Sequence, residues 1–189
     1  MDAIVDIPNG KSYQGDLYRS LSVNSETNYG AVPNKMTDYS FYSSWGRYDL
    51  DQQENAMYLS KEVSGNKTEL VPHYGQWTEF NTYLFADVEV DNLLNLTDDA
   101  ICQKLGIEFE QLTKVIEIPD NLPLDEISKI KHEMYEFTNI IASWARGKGY
   151  NGLIVIGARG LKNYENIVLF DQAYIDQIFL GKSAAKVNK

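Results

Sequence analysis

Residues 123–170 read PLDEISKIKHEMYEFTNIIASWARGKGYNGLIVIGARGLKNYENIVLF, and this stretch decides the fold class. Between Asp125 and Arg146, the apolar residues Ile127, Ile130, Met134, Phe137, Ile141 and Trp144 recur at spacings of three and four. That pattern is one buried stripe along a long helix. Pro123 stands before it, and Gly147 and Gly149 follow it, the usual punctuation of a helix start and stop. Leu153–Ile156 and Ile167–Phe170 are short continuous apolar runs that read as strands covered on both faces, with a loop over 157–165 between them.

Upstream, Phe80–Val90 alternates apolar and polar residues near its end, as a strand with one covered face should. Residues 91–107 read as a turn followed by a helix, with Thr97 as the expected cap and Asp98 and Asp99 at the positive helix end. Ala56–Ser60 is a short apolar strand, Ser64–Gly75 a short helix and Asp16–Val23 a strand. The rest of the first forty-five residues is rich in Tyr, Ser, Asn and Gly, so Asn24–Trp45 is expected to be a lid or pocket wall. Downstream, Ala173–Phe179 is expected to form a last short helix. Helices and strands intersperse without a strict βαβ rhythm, which predicts a mixed α+β domain around a bent sheet. A chain of 189 residues suffices for one compact domain, expected over 1–182 with a flexible C-terminal tail over 183–189.

Seventeen Lys and Arg against twenty-seven Asp and Glu give a net charge of −10, which disfavours direct binding to nucleic acid. Cys102 is the single cysteine, so an intrachain disulfide and a Cys-rich zinc site are both excluded, and a reducing compartment is the easier reading. No apolar run approaches a membrane span, and the start MDAIVDIPNG lacks the regions of a signal peptide. The expected site of action is cytoplasmic; a secreted effector exported by another route has the same appearance.

Arg19 falls in the first strand, Arg47 after the Trp45–Gly46 pair, Tyr58 in AMYLS and Glu69 in the following helix. On spacing alone these residues read first as surface ion-pair partners and a core tyrosine. The chemical alternative is specific. Arginine presents a planar fork to phosphate, an aromatic ring stacks on a flat heterocycle, and a carboxylate binds ribose hydroxyls and stabilises positive charge at an anomeric carbon. Together they describe a pocket for NAD. No G-x-G-x-x-G turn occurs, so hydride transfer on a Rossmann fold is not expected and the nicotinamide bond is the expected target.

The ordered pieces LYRSLS (17–22), WGRYD (45–49), AMYLS (56–60) with Glu69, DNLLNLTDDAICQKLGI (91–107), FTNIIASWARGKGYNGLIV (137–155) and GAR with ENIVLF (157–170) resemble the RES domain family. These are toxin enzymes of bacterial toxin–antitoxin pairs. The resemblance implies an ADP-ribosyltransferase-like bent mixed sheet with flanking helices, NAD as the substrate, no metal, and a cognate antitoxin or immunity protein as partner. It implies that Arg19 and Arg47 bind phosphate, that Tyr58 stacks on nicotinamide, and that Glu69 holds the ribose and stabilises the developing cation, with Glu69, Arg47 and Tyr58 as the catalytic set. Asn166 matches the family's asparagine, which binds ribose or phosphate or closes a turn. The family serine is absent: Gly157 holds its place, and its backbone amide is one candidate replacement for the lost donor.

Glu62 also follows the AMYLS strand and competes with Glu69 for the acid's role, and Tyr58 reads as stacking platform or core. His73 and His132 are too far apart to pair by spacing, and His132 lies off the apolar stripe. Trp144 continues the stripe. Ser60 and Ser143 have no neighbouring histidine and acid, so a hydrolase triad is not supported.

Overall fold

A computed structural model describes residues 7–22, 46–49, 56–66, 68, 80–116, 122–159 and 163–187. The strands are β1 (Lys11–Ser22), β2 (Met57–Ser60), β3 (Phe80–Asn95), β4 (Gly152–Ile156), β5 (Glu165–Leu169) and β6 (Ala184–Lys186). The helices are α1 (Asp99–Leu105), α2 (Phe109–Leu112), α3 (Leu124–Gly147) and α4 (Gln172–Ile178), and residues 63–66 make a further helical turn.

The sheet runs β1-β2-β5-β4-β3-β6, and β1 also pairs with β3. That extra pairing closes five strands into a barrel, so the expected ADP-ribosyltransferase-like bent mixed sheet with flanking helices is corrected to a closed barrel with β6 added on β3. The reason lies in β3. Its register against β1 slips twice, between Phe85 and Val88 and between Val90 and Leu93, and each slip inserts one extra residue on β3. Asp87 and Asn92, both at φ 52°, sit in these bulges. Asp and Asn tolerate the left-handed region better than most residues, and bulges increase local twist. The Asp87 N–H donates to Asp16 Oδ1 at 3.1 Å, and Asn92 Nδ2 donates to the Gly149 carbonyl at 2.8 Å, holding both kinks. The coiled strand can then meet β1 along its first part and β4 at its last residues.

Strand alternation sorts the side chains into two cores. Leu17, Leu21, Met57, Leu59, Leu93, Ile154, Ile167 and Leu169 form the cluster inside the barrel. Phe179, just beyond α4, adds to it, with its ring 4.7 Å from that of Phe85. Leu94, Leu153, Val155 and Val168 face outward and are covered by Ile141, Ala142 and Ala145 of α3. The apolar stripe read from the sequence is therefore the outer cover of the barrel.

Several boundaries move. β1 begins at Lys11 rather than Asp16, and β3 runs on to Asn95 through the second bulge. Asp98 caps α1, its Oδ1 accepting the Ala100 N–H at 3.0 Å. Thr97, the expected cap, stands one residue before it, with its hydroxyl donating to Asn95 Oδ1 at 2.8 Å. Within the expected tail, residues 184–186 form β6, antiparallel to β3.

Candidate functional site

The turn Gly46-Arg47-Tyr48-Asp49 packs between β2 and α3. The Tyr48 N–H donates to Tyr58 Oη at 2.9 Å, and the Tyr58 hydroxyl donates to Asp49 Oδ1 at 2.8 Å. Glycine at 46 follows from this close approach, since a Cβ there would stand 2.3 Å from Asp49 Oδ1 and 2.7 Å from Tyr58 Oη. Asp49 is 2% exposed, and its Oδ2 has no hydrogen-bond partner among the described residues. Burial pushes its carboxyl up to about 6, against the opposing pull of the Tyr58 hydroxyl, the Gly46 backbone and the positive charge of Arg146. Burial, and then the charge of Asp49, push the Tyr58 phenol well above its ordinary value of 10.

Helix α3 clamps the same turn. The Arg47 carbonyl accepts from Thr138 Oγ1 and from Asn139 Nδ2, the latter at 3.0 Å. Arg47 Nη1 donates to the carbonyls of Leu112 at 3.1 Å and Lys114 at 2.9 Å, while the guanidinium lies over the Tyr135 ring, 5.0 Å from its centroid. One nitrogen of the expected phosphate fork is thus committed to backbone. Arg146 reaches the Tyr48 carbonyl at 3.4 Å and covers the Phe170 ring at 4.1 Å.

A second group forms where β2 ends, β5 begins and β4 leaves the sheet. Tyr18, Ser60, Asn166 and Val155 lie side by side across four strands, all on the outer face. The helical turn over 63–66 sits on this row: a Cβ at Gly65 would meet Ser60 Oγ at 2.4 Å and the Tyr164 ring at 2.7 Å. Lys61 and Glu165 form an ion pair beside it. At Gly157 a Cβ would stand 2.0 Å from the Tyr164 ring, so that ring fills the space a serine side chain needs. The Gly157 N–H donates to the Tyr164 carbonyl at 2.9 Å, which removes the amide as a replacement donor.

The expected site residues are therefore divided. Arg47 and Tyr58 meet at the Asp49 turn, and Asn166 shares the outer face with Tyr58, two positions along β5 from the Tyr58 partner Val168. Arg19 does not join them: it is 5% exposed and alternates with Leu17 and Leu21, which places it on the inner face, opposite Tyr83 of β3. Glu69 lies outside the described residues, as do Trp45, His73, Trp77 and the expected lid over 24–45. A cavity of about 190 Å³ between Leu96, Thr97, Cys102, Gln103, Phe109 and Ile156 has no Lys or Arg in its lining. Asp49 and Tyr164 were not among the expected residues. The available signal for Asp49 was an acid closing a Gly-Arg-Tyr-Asp turn next to a strand tyrosine, a pattern too short to single it out.

Comparison with models of known protein families finds no match, and comparison with curated proteins finds none either. Among the described residues, no group of three or more His, Cys, Asp or Glu side chains gathers as a metal site requires, and no helix is long and apolar enough to cross a membrane.

Proposed function

We propose that the protein consumes NAD by cleaving the bond between nicotinamide and ribose, as the resemblance to RES domains implies. The observation that carries this reading is the outer row Tyr18–Ser60–Asn166–Val155, on which the turn leading towards Glu69 is seated. Motif pieces far apart in sequence meet there, at the exits of β2 and β4 and the entry of β5. In the reaction, the C1′–N bond breaks and its electron pair leaves with neutral nicotinamide. The resulting oxocarbenium ion is captured by water or inorganic phosphate, which gives up a proton. Glu69 would stabilise the developing cation, Tyr58 would offer its ring face, and Arg47 would offer the guanidinium nitrogens not spent on Leu112 and Lys114. Arg19, on the inner face, is given no phosphate contact in this reading.

The test is NAD consumption by the purified protein with chromatographic identification of the product. Glu69→Ala is expected to lower turnover by about a hundredfold or more with the far-ultraviolet spectrum unchanged. Full activity in that variant removes the mechanism. Labelled ADP-ribose found on a macromolecule would redirect the reading to a protein-modifying transferase effector.

A second reading has its own observation. The polar end of Tyr58 and Nη1 of Arg47 are spent on internal bonds, and the Tyr164 ring stands where the family serine belongs. A homologue that binds a partner, such as an antitoxin, without catalysis fits those facts. NAD binding measurable by calorimetry in the wild type decides against it.

A further inference from the structure

The buried acid of the Gly46–Asp49 turn has no role in the chemistry above. Its Oδ1 holds the Tyr58 hydroxyl, whose oxygen in turn accepts the Tyr48 N–H, so the phenol is engaged as donor and as acceptor at once. A phenol held from both sides cannot swing without breaking a bond in a nearly dry setting. We propose that Asp49 is a positioning residue that acts through Tyr58: its carboxyl group sets the direction of the phenol hydroxyl and so fixes the ring beside the Arg47 turn. What the ring is held for rests on the NAD reading; the hold itself rests on these three residues alone.

Among the described residues, the groups acting on Asp49 come from three places. Tyr58 comes from β2, Arg146 from α3, and the Gly46 backbone from the turn itself. A hydrogen bond to an ionised acceptor is shorter and roughly twice as strong as one to a neutral acceptor. Since the Asp49 carboxyl changes charge at about 6, the hold on Tyr58 tightens as pH rises through that value.

The experiment labels tyrosine ring carbons with ¹³C, assigns the Tyr58 signal by its loss in Tyr58→Phe, and follows it through the pH range around neutrality. The signal is expected to move with a midpoint of about 6 in the wild type. It is expected to stay still in Asp49→Asn, which keeps an acceptor for the hydroxyl but cannot titrate. A signal that is flat in the wild type, or that moves equally in Asp49→Asn, overturns the proposal. As a second readout, Asp49→Ala is expected to lower kcat for NAD about tenfold with KM changed less than about threefold, and Asn at this position to restore turnover while flattening the acid limb of the pH profile. Unchanged kcat in Asp49→Ala overturns the positioning role. If Asp49→Ala does not fold, the pH profile of Asp49→Asn carries the same decision. A wild type that shows the titration at Tyr58 but leaves NAD intact supports the hold and removes the NAD reading.

Discussion

The inside of the barrel and the outer face under α3 differ in burial and in chemistry: Tyr58 and Arg47 on the outer side are half-buried. Inside, Met57, Leu93, Ile154, Ile167 and Leu169 are 0% exposed and apolar, with Arg19 and Tyr83 buried on the same face. Outside, Tyr58, Arg146 and the Gly46 backbone face the Asp49 carboxyl, one oxygen of which has no hydrogen-bond partner among the described residues. The comparison teaches that buried apolar side chains mark stability, whereas a buried carboxyl with an unpartnered oxygen marks a candidate site. The mark of the second is a polar group whose desolvation is not fully repaid.

The strongest way to break that contrast is to cut into the interior. Ile154→Ala removes a side chain that is 0% exposed in the middle of β4. It is expected to lower unfolding free energy by about 2–5 kcal/mol in urea titration, because the closed barrel collapses poorly around a void. A cost below about 1 kcal/mol would mean that the interior is not close-packed.

Titration sharpens the other side. The Asp49 carboxyl moves from 3.8 to about 6 on folding, so in that window the folded state keeps a proton that the unfolded chain has released. Its contribution to stability is fully present below the unfolded value and is lost as pH rises through about 6. The loss is on the order of 2–3 kcal/mol at 1.36 kcal/mol per pH unit. Other carboxylates are common to both proteins, so the difference between wild type and Asp49→Asn, measured by urea titration at acid and neutral pH, isolates this residue. Identical pH dependence in the two proteins would mean that the carboxyl is solvated.

Gly157→Ser asks whether the outer face can take back the side chain that the family resemblance expects. With a Cβ only 2.0 Å from the Tyr164 ring, the variant is expected to lose about 1–3 kcal/mol through overpacking. The double variant with Tyr164→Ala should show a coupling that offsets part of the summed cost in a thermal melt. Simple additivity would mean that the ring moves aside freely.

Legibility in the sequence followed the range of the forces involved. Helix α3 was visible because its stripe repeats over about five turns, and β4 and β5 because continuous apolar runs, that of β4 lying between Gly152 and Gly157, leave few alternatives. β1 was cut short because Lys11–Asp16 shows no alternation, being held by pairing with β3 across two register slips. Closure itself depends on partners some seventy residues apart, such as Leu17 and Phe85, and no local pattern records it. For the site, the sequence placed Tyr58 in its strand and Asn166 at the entry of β5. The alternation Leu17, Arg19, Leu21 already put Arg19 among apolar neighbours, yet only closure reveals that this face is the inside.

The placement of β3 has a consequence for synthesis. It takes β1, β4 and β6 as neighbours, and β2, which meets β1 at Tyr18–Ser60, waits for β5 to complete its ladder, a strand that ends at Leu169. A nascent chain can zip β1 to β3 once Asn95 has emerged, but two ladder edges then stay open until the segment after α3 arrives. Pairings of such long range form slowly, and open edges invite other chains. Slow translation between β3 and β4 should therefore raise the insoluble fraction.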